Sequence, residues 1–233
     1  MRHAKRATDI LGKDLGDVRG YSTRDQAAGV VRDPVIVPKE IHERAGLLTL
    51  YIDVFHVNGI PFLASVDDKV RYRHCVKMKD KTPREFYRAI DVIARDFNWA
   101  DFVIGNIEAD NAFKELLDQV KDEMEIKIDI ANAGDHVPQA ERNIRTIKGR
   151  IRACVGRMPY TYLPKNMVAE CAVHCTNQLN WFVNENSCSR ELSPHNIVKQ
   201  QEIDYNLHGQ LPFGAYCVVH YEPNPYNTDF SKS

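Results

Sequence analysis

"LLTLYIDVFHVNGIPFLASVDD", residues 47–68, places two short apolar runs, 47–54 and 60–66, on either side of Asn-Gly. Asn and Gly tolerate the positive φ values that a two-residue hairpin turn needs, so the stretch predicts two antiparallel strands closed by a tight turn. "YRHCVKMK", residues 72–79, alternates partially and predicts a third strand, completing a meander. Within the first strand Asp53 interrupts an otherwise apolar run. A carboxylate there is costly unless it is paired, bound to a cation or turned to solvent. Its alternation with Tyr51 and Phe55 leaves the solvent-facing reading open.

The pattern then changes period. "TPREFYRAIDVIARDF", residues 82–97, has Phe86, Ile90, Ile93 and Phe97 at helical spacing. Thr82 suits the N-cap, Pro83 the first helical position, and Glu85 the far side of a capping box. "DFVIGNIEAD" (101–110) predicts a strand, "NAFKELLDQVKDEM" (111–124) a helix, and "IKIDIAN" (126–132) a further short strand. A long helix follows Pro138, and "LPKNMVAECAVHCTNQLNWF" (163–182) predicts another, its stripe running through Val168, Cys171, Cys175, Leu179 and Phe182. The order β-β-β-α-β-α-β-α-α predicts an α/β fold: a mixed five-stranded sheet, three strands antiparallel and two added in parallel, flanked by helices. Such an order is that of RNase H-like nucleases and integrases, though order alone says little about chemistry.

Totals set wide limits. The 233 residues are 43% hydrophobic and 27% charged, with a net charge of −1, so bulk charge does not announce a nucleic-acid binder. The distribution is uneven. Residues 108–135 carry nine Asp/Glu against three Lys, and residues 139–165 carry seven Lys/Arg against one acid, Glu141. Local asymmetry of this kind matters more to a polyanion than the sum. No apolar run is long enough for a membrane span, and the opening "MRHAKRATDILGKDLG" lacks the apolar segment of a secretory signal. The six cysteines form no CxxC pair. Cys171 and Cys175, one turn apart beside His174, admit a metal reading, but small apolar residues on a packed helix face are preferred. Reduced thiols and an intracellular setting are expected.

Helical geometry adds an independent signal in "GDHVPQAERNIRTIKGRIRACVG", residues 134–156. Arg145, Lys148 and Arg152 fall within roughly 40° of Glu141 at the helical repeat. Ile144, Ile147, Ile151, Val155 and Met158 take another side. One stripe packs on a sheet, and the other shows a carboxylate followed by cations suited to tracking phosphates. The alternative is a solvated basic face with an acid at its dipole-favoured end. Asp110, where a strand ends and a helix begins, is likewise an N-cap candidate. Asp67, Asp68, Glu108 and Asp135 are other acids nearby.

Together these residues resemble the integrase core of copia-type long-terminal-repeat retrotransposons. "LTLYIDVFHVNGIPFLASV" looks like that family's first-Asp strand and hairpin. "DNAF" (110–113) looks like its second-Asp motif, and "HVPQAERNIRTIKGRIRA" (136–153) is similar to its third, in which an Ala-Glu-Arg triplet opens a basic helix. "SPHNIV" (193–198) and "FGAYCVVH" (213–220) match segments after the core, and "DLGDVRGYSTR" (14–24) matches the linker before it. The resemblance implies a D-D-E triad of Asp53, Asp110 and Glu141 holding two Mg²⁺ or Mn²⁺ ions, and DNA-backbone contacts by Arg142, Arg145, Lys148 and Arg152. It implies a polynucleotidyl transferase that processes 3′ ends and joins strands of double-stranded DNA, acting as a homo-oligomer with no membrane partner, in the nucleus for function and with the cytoplasm as the alternative setting.

The chain departs from the family in places. A His₂Cys₂ zinc module has no counterpart around His3 and His42, the family's following reverse transcriptase is expected to be missing, and Asp110 to Glu141 spans 31 residues, short of the usual interval. An excised or decayed piece of a polyprotein is expected, divided as a polar arm (1–45), a catalytic core (46–185) and a C-terminal extension (186–233). A non-catalytic descendant that binds DNA or oligomerises through the same fold is the second expectation. A nuclease acting on RNA–DNA hybrids is the third, placed last by the copia-like flanks.

Overall fold

The computed structural model describes residues 34–131 and 137–216. Residues 14–24, Asp135 and most of 213–220, including Cys217, lie outside the described residues. The elements run α1 (Lys39–Ala45), β1 (Leu47–Val57), β2 (Ile60–Asp67), β3 (Arg73–Lys77), α2 (Pro83–Trp99) and β4 (Val103–Ala109). A 3-10 helix (Asn111–Leu116) then leads into α3 (Leu117–Met124), β5 (Lys127–Ile130), α4 (Pro138–Arg157), α5 (Lys165–Leu179), α6 (Pro194–Lys199) and α7 (Tyr205–His208).

The sheet order is β3-β2-β1-β4-β5. β1, β2 and β3 pair antiparallel, and β4 and β5 add in parallel. This is the mixed, RNase H-like arrangement that the sequence predicts. The hairpin closes as expected, with Asn58 and Gly59 both at positive φ.

Each face of the sheet buries its own core. One face of β1, through Leu48, Leu50 and Ile52, meets Phe86, Ile90, Ile93 and Phe97 of α2. The same core takes in Ile41 of α1 and Ile197 and Val198 of α6. On the opposite face Phe55, Phe62 and Ala64 meet Ile144, Ile147 and Ile151 of α4 and Ala169, Cys171 and Cys175 of α5. The apolar stripe read from α4 is therefore the stripe that packs. Asn143 fixes its seating, donating from Nδ2 to the Ser65 carbonyl of β2 at 3.0 Å.

A bulge in β4 sets which side chains meet across the parallel pair. Leu48 pairs with Ile104, but Thr49 pairs with Asn106, and Gly105 is the residue passed over. A side chain at Gly105 would collide with that of Leu47. Since one residue of slip exchanges the two faces of a strand, the bulge puts the polar residues of β4 on the face of Thr49, Tyr51 and Asp53.

Three local expectations are corrected. Thr82 begins α2 with Pro83 in its first turn, but no side-chain cap forms. The Thr82 hydroxyl donates to Asp80 at 2.6 Å, and Glu85 accepts from the Lys79 N–H and pairs with Arg88, so each half of the capping box has another partner. The helix after Asp110 is two pieces, 3-10 then α. Phe182 lies beyond the end of α5 and is 53% exposed, because the chain leaves the helix at Asn180. Among the described residues, no helix is long and apolar enough to cross a membrane.

A polar network joins three of these elements. His74 of β3 lies 3.2 Å from Asp96 of α2, and Lys199 of α6 pairs with Asp96 at 2.7 Å. Burial alone raises the Asp96 carboxyl, but the hydrogen bonds from His74 and Lys199 outweigh it and bring it down to about 2. An acid lowered in the fold adds stability above its unfolded value, about 4, and that stability is lost as pH falls through the folded value. The melting temperature should therefore drop between about pH 4 and pH 2, and the Asp96→Asn variant should show a shallower drop there. Thermal melts followed by circular dichroism across that range check it.

Candidate nucleic-acid interface

Asp53 and Glu141 stand far apart in sequence, yet both line one open cleft of about 520 Å³. Asp53 comes from the middle of the sheet and Glu141 from the first turn of α4, which lies against that face. Arg145, Lys148 and Arg152 line the same cleft, with Val54, Phe55, His56 and Ile144 completing it. Asp53 is half-buried and accepts the Val54 N–H at 2.6 Å, whereas Glu141 is exposed. The Lys148 ammonium lies 5.8 Å from the centre of the Phe55 ring, a cation–π contact that holds the side chain over the sheet. Arg152 donates back to the Lys148 carbonyl at 3.2 Å, which lays its side chain along the same side of the helix.

Asp110 is not among the residues lining this cleft. The pairing of Leu50 with Ile107 and Tyr51 with Glu108, carried on by two residues, puts Asp110 across from Asp53 on the neighbouring strand. Its carboxylate takes up the capping role, accepting the Ala112 N–H at 3.0 Å. Among the described residues, the only set of three metal-ligating side chains gathered within 4.8 Å is a trio of cysteines. Asp53 and Asp110 each accept a backbone N–H, from Val54 and Ala112. Asp53 and Glu141 thus bring hard oxygen donors suited to Mg²⁺ or Mn²⁺ to one cleft, and Asp110 stands on the strand next to Asp53.

Arg142 also parts from the row. It lines a second cleft, of about 350 Å³, on the other flank of α4, with Arg71, Arg73, Gln139, Asn143, Thr146, Asn184 and Asn186. Its place follows from helical phase, since it lies roughly 100° from Glu141. Burial lowers the pKa of Arg73, and the proximity of Arg71 adds to the effect. Sequence reasoning missed His56 and both β3-side arginines. His56 had only its place just after Asp53 to mark it, while Arg71 and Arg73 come close to α4 only through the tertiary fold.

No protein-family model matches the chain, and no curated protein matches it. Among solved structures, the chain is similar to the crystal structure of the catalytic core domain of BIV integrase, with 15% identity and a TM-score of 0.47, over 65% of this chain and 93% of that one.

Proposed function

We propose that the chain is an integrase-type polynucleotidyl transferase core acting on double-stranded DNA, with Asp53, Asp110 and Glu141 as its acids. One observation carries the reading: Asp53 and Glu141, brought from a strand and a helix, share a cleft with the cation row of Arg145, Lys148 and Arg152. The sequence motifs around each acid support it. The row holds successive backbone phosphates, and the position of Glu141 at its head directs one phosphodiester toward Asp53. Bound Mg²⁺ or Mn²⁺ supplies activation of the attacking oxygen and charge stabilisation at the leaving 3′-oxygen. Asp110 joins by giving up its cap to Ala112, which costs about 1 kcal/mol, little beside a divalent ion. Homo-oligomerisation and a nuclear setting belong to the same proposal.

The second reading is an inert descendant that binds DNA through the same face, favoured by the capping role of Asp110. Incubating the chain with terminal-repeat duplex and Mn²⁺ separates them. Strand joining that EDTA stops supports the first. Duplex binding without joining, weakening by roughly 0.9 log units per phosphate contact for each tenfold rise in salt, leaves the second. Absence of both sinks the two together.

A further inference from the structure

The cysteine trio lies away from the acidic cleft, at the junction of α4 and α5. The sulfurs of Cys154, Cys171 and Cys175 all lie within 4.8 Å of one another, and those of Cys171 and Cys175 are 3.7 Å apart. All three are free thiols. Cys171 and Cys175 are buried, and Cys154 is half-buried, so the cluster has one side toward solvent. The i, i+4 spacing puts two sulfurs on one turn of α5, and helix packing brings the third from the C-terminal half of α4. Sequence alone offered Cys171 and Cys175 as packed small residues, with no reason to add Cys154.

We propose that Cys154, Cys171 and Cys175 form a binding site for a thiophilic closed-shell cation of the zinc class, independent of the function proposed above. A tetrahedral zinc centre with sulfurs at about 2.3 Å has them about 3.8 Å apart. The Cys171–Cys175 pair already has that separation, and Cys154 needs an inward shift of about 1 Å at most to complete the face. Solvent on the Cys154 side supplies the fourth ligand. Three thiols bind by releasing three protons to solvent, so Zn²⁺ with three thiolates carries a net charge of −1. Arg150, near Cys175, and Arg157, near Cys154, place positive charge beside the cluster and partly offset it. Sulfur ligands select against Mg²⁺ and Mn²⁺, so the site does not compete for the ions suited to the carboxylates. Bound metal would pin α4 to α5 behind the cation row.

The test is titration of the reduced full chain with Zn²⁺ against a chromophoric chelator, with Cu⁺ as a second arm and Co²⁺ as the spectroscopic probe. One equivalent should bind, with cobalt–thiolate charge-transfer bands and a tetrahedral visible spectrum. Cys154→Ser, at the half-exposed position, should weaken binding at least about a hundredfold with its circular dichroism unchanged. Cys188→Ser, in the other core, should bind as the native chain does. Bound metal should also protect Cys154, Cys171 and Cys175 from alkylation read by mass spectrometry. Uptake of Cu⁺ alone assigns a three-coordinate member of the same class. No uptake in any arm, or uptake that Cys154→Ser leaves unchanged, overturns the site.

Discussion

Asp53→Asn should reduce strand joining by about a hundredfold or more, equivalent to about 2.7 kcal/mol of transition-state stabilisation, while duplex binding changes little. The substitution removes one negative charge and one strong oxygen donor from the cleft without changing the size of the side chain. A phosphate-tracking role belongs to Arg145, Lys148 and Arg152, which the substitution leaves in place, so affinity and catalysis should separate. Glu141→Gln should behave the same way, because it removes a donor from the other wall of the same cleft. Lys148→Ala should do the reverse, weakening duplex binding and its salt dependence by roughly one phosphate contact. The measurements are joining of a labelled terminal-repeat duplex in Mn²⁺ and fluorescence anisotropy of the same duplex. Equal joining by the native chain and Asp53→Asn would exclude a metal-holding role for this carboxylate.

What was legible in the sequence follows from which forces are local. The meander could be read because Asn58-Gly59 fixes a turn and the flanking runs have strand character. The α4 stripe could be read because Ile144, Ile147 and Ile151 recur at helical period, and all three are buried. The placement of Glu141 beside the cations followed from the same arithmetic. Other features were not local. The bulge at Gly105 decides that Asp110, rather than Ala109, stands across from Asp53, and nothing in "VIGNIEAD" announces a register shift. The side-chain direction of Asp110 is a contest between a neighbouring carboxylate and a free N–H at a helix start, which sequence cannot weigh. The partners of Thr82 and Glu85 were likewise decided by the loop before α2 rather than by the capping pattern.

The two acids at 67 and 68 show the same limit from the other side. In sequence they stand close to the strand that carries Asp53 and look like further candidates for the proposed site. In the fold they organise backbone. Asp68 accepts the Thr49 N–H at 2.9 Å, tying the end of β2 to β1. Asp67 is fully buried and holds the turn into β3. An acid that organises backbone is therefore distinguished by the donors around it, which only the loop geometry reveals.

Asp67→Ala should be the most destabilising of these substitutions, at about 3 kcal/mol or more. The Asp67 carboxylate accepts the backbone N–H groups of Lys69, Val70 and Arg71 on one oxygen and that of Tyr72 on the other. Arg71 adopts a positive φ of 65°, so the turn carries backbone strain that these bonds must hold. Removing the carboxylate strands donors in a site that water reaches poorly, beside the fully buried Val70. At about 2–4 °C per kcal/mol for a domain of this size, the melting temperature should fall by about 6–12 °C. Asp67→Asn should cost less, because its oxygen can keep the three bonds while its amide meets the Tyr72 N–H donor to donor. Burial raises the Asp67 carboxyl to about 6 despite its backbone donors. A raised acid binds its proton more tightly in the fold, so between about pH 4 and pH 6 this residue gains stability as pH falls. The native chain minus Asp67→Asn difference in melting temperature should therefore widen toward pH 4. Melts of the three proteins at several pH values decide it, and an Ala variant that melts with the native chain would remove Asp67 from any role in holding the turn.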